Sequence, residues 1–272
     1  MKRNILIQTA ALLLALLAGC SGAEVPSNDI PAESSQQETE STADTLPTES
    51  APGTLTKEKM QTSELDTLNY LLYKPQKMST QLPLIVYLHG GSGKGDDLDR
   101  LTSVEGFPQY IQEGKIKNVQ AMIVMPQLPK DRKGWTDIKT SIKELIDHVA
   151  VTYGVDNDRI SLTGHSMGGT GAFALAAAYP ELFSCVAPMS GSIKATPPKL
   201  EALSQMPVWA FVGTNDTVVD PASSRTFIGE LKARNADANI TEFDGAGHTE
   251  VPGLAYLDES IDILNWLTGN TK

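Results

Sequence analysis

Ser166 stands two residues from a glycine on either side in the stretch TGHSMGGTG, residues 163–171. The core of that stretch, GHSMG, matches G-x-S-x-G; it follows the apolar run RISLTG and precedes a segment of helical period. Glycines at both ends let a chain turn sharply from strand into helix and lift the hydroxyl off the sheet edge. A serine hydroxyl is a poor nucleophile at neutral pH and needs a base within hydrogen-bond reach. Ser166 as a plain helix cap would need no such base. The choice therefore depends on what else the chain supplies.

The chain has four histidines, His89, His148, His165 and His248. In a strand–turn–helix setting the partners follow the serine in the order acid, then histidine. Only His248 lies after Ser166, on the glycine-rich loop DGAGHTE directly past the strand-like run NITEF. His148 falls on an amphipathic stretch and reads as a surface residue. His89 and His165 flank the glycine turns, where they support loops, and His165 is also a candidate for substrate contact. The acid has to fix the imidazole tautomer and stabilise its cation. Asp216 and Asp220 both follow the buried run VWAFVG closely, and Asp216, three residues past its glycine, is preferred.

Acyl transfer also needs backbone donors for a tetrahedral oxyanion. Met167, next to the serine, offers one N–H. The segment LPLIVYLHGGSGKGDD puts four glycines in six positions after an apolar run, and Gly91 is the candidate for the second. A phosphate-binding loop is excluded there, because Gly95 and Leu88 occupy the positions that motif gives to a hydroxyl and a glycine. Asp96, Asp97 and Asp99 have no histidine cluster beside them and read as caps of a short helix rather than a metal site. No metal and no cofactor is expected.

These residues must be held by a scaffold. The runs 68–73, 82–90, 119–126, 159–164, 183–190, 208–213 and 239–243 are short, apolar and bounded by turn residues, as strands are. Between them, stretches at 138–153, 167–179, 222–235 and 254–267 carry helical period; in the first, Ile138, Ile142, Leu145, Ile146, Val149 and Tyr153 share a face. Strands apolar along their length, alternating with helices, imply an α/β domain with a mostly parallel central sheet covered on both faces. Sites in such sheets form at the carboxyl ends of the strands. Between Ser190 and Val208 there is room for a short loop and a turn or two of helix, so no large cap domain is expected.

Taken in order, LHGGSGKGDD, VMPQLPKDRKGWTD, YGVDNDRISLTGHSMGGTGAFALAAAYPELF, VGTNDTVV and GAGH resemble the α/β-hydrolase superfamily over about residues 68–267. The likeness is greatest to secreted esterases of the prolyl-oligopeptidase and dienelactone-hydrolase types. It implies Ser166 as nucleophile, His248 as base and Asp216 as acid, and it places Trp135 beside the active-site cleft as a candidate substrate contact.

The remaining segments concern location. MKRNILIQTAALLLALLAGC joins Lys2 and Arg3 to an apolar run too short for the ~20 residues of a membrane span, which is a signal-peptide plan. LAGC at 17–20 resembles the bacterial lipoprotein signal and implies cleavage before Cys20 and its lipidation, hence an extracytoplasmic protein anchored to a membrane; an uncleaved anchor helix is the alternative. Residues 1–19 are read as signal, 20–60 as the lipidated cysteine with a disordered acidic tether, and 61–272 as the catalytic domain. Seven acids lie between Ser21 and Thr56 and account for most of the net charge of −11, which argues against nucleic-acid binding. Cys185, the one other cysteine, sits in an apolar run, so no intrachain disulfide is expected. The expected function is hydrolysis of carboxylic esters, on a small or carbohydrate-linked substrate, through an acyl-enzyme. A peptidase of the same architecture, or a catalytically silent binding module, are the alternatives.

Overall fold

The computed structural model of the chain describes residues 53–104 and 106–272. The expected signal peptide, Cys20 and the expected tether up to residue 52 lie outside those residues. Among the described residues the strands are β1 (Thr54–Met60), β2 (Leu68–Lys74), β3 (Leu82–Leu88), β4 (Met122–Pro126), β5 (Val155–His165), β6 (Cys185–Met189), β7 (Val208–Gly213) and β8 (Ala238–Phe243). The α-helices are α1 (Asp99–Val104), α2 (Gly106–Gln112), α3 (Lys139–Tyr153), α4 (Met167–Ala178), α5 (Pro197–Leu203), α6 (Ala222–Lys232), α7 (Val251–Tyr256) and α8 (Ile263–Gly269).

The strands form one sheet in the order β1-β2-β4-β3-β5-β6-β7-β8. β1, β2 and β4 pair antiparallel, and every pairing from β4 through β3 to β8 is parallel. This is the α/β-hydrolase architecture, with an antiparallel lead-in to a parallel sheet.

The two-residue period of β3 shows why its run is apolar throughout. Leu84, Val86 and Leu88 join the core under α3, α4, α5 and α6, while Ile85 and Tyr87 join the core under α2, α7 and α8. Both faces are covered, so neither alternation carries polar residues. Burying each such side chain contributes roughly 1.5–3 kcal/mol. α3 buries Ile142, Leu145, Ile146 and Val149 along its expected face. It stops at Gly154, whose φ of 64° lets its N–H turn back to the Ala150 carbonyl.

Two expectations need correction. The assigned tether, residues 20–60, is strand at its carboxyl end: Thr54–Met60 pairs with β2 over its whole length, from Thr54 opposite Lys74 to Met60 opposite Leu68. Its exposed Lys57 and Lys59 and half-buried Glu58 are the charges an edge strand needs against edge-to-edge pairing, and they disguise it as loop. The single helix expected over 254–267 is two. The Asp258 carboxylate accepts hydrogen bonds from the N–H and hydroxyl of Ser260, and Asp262 takes a left-handed φ of 49°, so α7 ends and α8 begins anew.

Candidate active site

Ser166 joins β5 to α4 with φ 58° and ψ −118°, a conformation that costs a non-glycine residue on the order of 1–3 kcal/mol. The surroundings hold it there. The Ser166 N–H donates to the Met189 carbonyl of β6 at 2.9 Å, and the Thr170 N–H donates back to the Ser166 carbonyl at 2.9 Å. The glycines of the motif are small because backbone passes against them: a Cβ on Gly164 would lie 2.6 Å from the Leu88 carbonyl oxygen, and one on Gly169 would lie 2.4 Å from that of Met189.

The loops after β5, β7 and β8 bring three side chains together. The Ser166 hydroxyl lies 2.8 Å from His248 Nε2, and His248 Nδ1 lies 2.7 Å from Asp216 Oδ2. A carboxylate can only accept, so the imidazole proton sits on Nδ1 and Nε2 is left to accept the Ser166 proton. The Asp216 side chain is 1% exposed and that of His248 11% exposed. The other carboxylate oxygen of Asp216 accepts the N–H groups of Val218 and Val219, each at 2.9 Å. Burial alone would raise the Asp216 carboxyl, but the hydrogen bonds from His248, Val219 and Val218 outweigh it and hold it below its ordinary range. Those two N–H groups come from valines that nothing in the motif marked. Asp220 caps α6 instead, through the Ala222 N–H.

The loops of Asp216 and His248 are stitched to each other. The Asn215 N–H donates to the Ala246 carbonyl at 3.0 Å, and Gly213 packs so closely that a Cβ would lie 2.3 Å from that same oxygen.

Gly91 opens a short 3-10 turn, Gly91–Gly93, immediately after β3, and Met167 is the first residue of α4. Neither N–H donates to another described residue. His89 shapes the turn: its Nδ1–H donates to the Gly90 carbonyl at 2.6 Å, and its Nε2 accepts the Leu128 N–H at 2.9 Å. Burial pushes this imidazole down to about 4, so it stays neutral with one donor and one acceptor, as both bonds require. The Asp97 carboxylate caps the start of α1 through the Asp99 N–H.

Trp135 and His165, the candidate substrate contacts, are both buried. Trp135 is fully buried; its indole N–H donates to the His89 carbonyl at 3.1 Å and its ring fills the space that Gly171 leaves. His165 is 9% exposed and its Nε2 meets the His248 backbone carbonyl at 2.9 Å. Exposed His148 takes no part. Cys185 is free and buried, and burial raises its thiol to about 12.

The profile of the dienelactone hydrolase family matches residues 108–251, just over half of the chain, and the chain belongs to that family. Among curated proteins it is similar to feruloyl esterase B of Talaromyces funiculosus, at 24% identity over 138 residues, covering 46% of this chain and 36% of that protein. The chain spans 36% to 40% of the length of the curated relatives it matches. Among solved structures, a thermostable esterase superposes with a TM-score of 0.68 at 22% identity, covering 80% of this chain and 63% of that one. A feruloyl esterase module from Clostridium thermocellum, solved with sinapinate, gives 0.61 at 15% identity over 80% of this chain and 88% of that one. At these identities the structural likeness speaks for the fold.

Proposed function

We propose that the chain is a serine esterase that cleaves carboxylic esters through an acyl-enzyme. The reading rests on the two consecutive hydrogen bonds from Ser166 Oγ through the His248 ring to Asp216, at 2.8 and 2.7 Å. In the proposed reaction His248 Nε2 takes the hydroxyl proton as Ser166 Oγ attacks the ester carbonyl carbon. The Met167 and Gly91 N–H groups donate to the resulting oxyanion. The intermediate collapses, His248 returns the proton to the departing alcohol oxygen, and water repeats the sequence to release the acid and free serine. Asp216 holds the ring and stabilises its cation. Side chains and water supply every step, so no cofactor enters.

Only α5, seven residues long, intervenes between β6 and β7. A cleft with so little above it suits an ester on a bulky alcohol such as a carbohydrate, and the names of the feruloyl esterase relatives agree with an ester as the bond cleaved. The leader MKRNILIQTAALLLALLAGC supports the accompanying proposal that Cys20 is lipidated and anchors the enzyme at an extracytoplasmic membrane surface. Loss of membrane association in Cys20→Ser is the outcome expected there.

The deciding experiment is labelling by a fluorophosphonate, with hydrolysis of p-nitrophenyl acetate, acylated sugars and chromogenic dipeptides measured alongside. One label per chain, lost in Ser166→Ala, with esters turned over faster than dipeptides, is expected. No labelling of the wild-type chain would remove the esterase reading, and faster dipeptide cleavage would replace it with a peptidase.

A further inference from the structure

We propose that His165 is a positioning residue, whose hydrogen bond to the backbone of His248 fixes the base against the nucleophile; this rests on the esterase reading above. His165 is the residue immediately before Ser166, yet its side chain turns inward and is buried. Its Nε2–H donates to the His248 carbonyl at 2.9 Å, and the two imidazole rings pack at 4.8 Å between centroids, inclined by 41°. A carbonyl only accepts, so the His165 proton must sit on Nε2. Burial, the largest influence on this ring, lowers it to about 4, which keeps it a neutral donor and leaves no second cation beside His248 when that ring is protonated.

The need for such a tie lies in the chain that delivers the base. His248 follows Gly245, at φ 71°, and Gly247, two residues with wide backbone freedom. The other backbone bonds of this loop act on the residues before His248: the Gly245 N–H donates to the Thr214 hydroxyl, the Ala246 carbonyl accepts from Asn215 N–H, and the Gly247 N–H and carbonyl are both held by Glu250. The His165 bond alone among these acts on His248's own peptide, and it comes from the very turn that presents the Ser166 hydroxyl. One residue thus sets the position of the base relative to the nucleophile directly, rather than through three strands of sheet. Misplacement of reacting groups by a fraction of their spacing slows chemistry without altering binding of the ester.

The test compares His165→Gln, His165→Asn and His165→Leu with wild type. A glutamine amide nitrogen can reach where Nε2 stood, an asparagine amide falls short of it, and leucine has no donor. Two quantities are read: the second-order rate of fluorophosphonate labelling, with its endpoint, and kcat and KM on p-nitrophenyl acetate. The Asn and Leu variants are expected to lose about tenfold in labelling rate and kcat at unchanged KM, and the Gln variant to stay within about threefold of wild type, the scale of one hydrogen bond. An endpoint of one label per chain in each variant shows that folded sites are being compared. Should the Leu variant not fold, the Gln and Asn pair decides. Equal rates in Gln and Asn, or wild-type rates in Asn and Leu, overturn the proposal while leaving the esterase reading intact. A wild-type chain that takes no label overturns both.

Discussion

Gly168 lies so close to the end of β3 that a Cβ built on it would stand 1.8 Å from the carbonyl oxygen of Leu88. No rotamer relieves such a clash, because both partners are backbone. The contact locks the first turn of α4 onto the strand that leads into the Gly91 turn, and so sets the distance between the Ser166 elbow and one of its proposed oxyanion donors. Gly168→Ala is therefore expected to destabilise the fold by about 3 kcal/mol or more. Urea denaturation of the variant measures this; a midpoint near that of wild type would show that the approach is loose.

Asp216→Asn separates chemistry from stability. The asparagine side-chain oxygen can still accept the Val218 and Val219 N–H groups, so the loop keeps its shape. What changes is the partner of His248 Nδ1: a neutral amide can present a donor there and favour the wrong tautomer. Turnover is expected to fall by about three to four orders of magnitude with unfolding little changed. Near-normal kcat would remove Asp216 from the proposed relay.

Stability should fall as the solution is acidified, for a reason that can be traced to two rings. His89 and His165 are both held down to about 4 by burial, against an ordinary value of 6.5. Above the ordinary value neither folded nor unfolded chain carries these protons, and the full stability is present. Below it the unfolded chain takes up protons that the folded one refuses, so stability drains away as pH falls towards about 4, by on the order of 3 kcal/mol per ring. Asp216 acts in the same sense at lower pH: its depressed carboxyl contributes above the unfolded carboxylate range, and that contribution is lost as pH falls through the folded value. Denaturation midpoints at pH 7, 5.5 and 4 test this, and a flat profile would contradict neutral buried rings.

Truncation tests the corrected boundary of the domain. A chain beginning at Gly53 keeps β1 and is expected to melt with the full-length protein. One beginning at Asp66 bares the paired edge of β2 and is expected to melt several degrees lower, on the order of 5 °C, and to aggregate. Equal melting temperatures would show that β1 adds nothing to the sheet.

The candidate site was legible wherever geometry leaves a residue type no freedom. The glycines around Ser166 have to be glycines because backbone passes within van der Waals distance of them, and the order serine, acid, histidine follows from which strands the chain visits. The apolar runs of β3 to β7 stood out because both faces of the sheet are covered. β1 did not, since an edge strand with one neighbour alternates polar and half-buried residues and lacks that pattern. The break between α7 and α8 was hidden because the spacing of Leu254, Leu257, Ile261 and Leu264 continues past it, while a single Asp258 side chain redirects the backbone. Trp135 and His165 could be placed near the site from the sequence but not oriented. Proximity along the chain to a site says nothing of which way a side chain turns, and both turn inward to hold other loops.

His248 is carried past β8, an edge of the sheet and the last in chain order of the described strands. A polypeptide still emerging from the ribosome, or clipped anywhere ahead of that strand, would carry the serine turn without His248 to draw off its proton. On the proposed reading, hydrolytic competence is thus acquired only once β8 and the loop beyond it are in place.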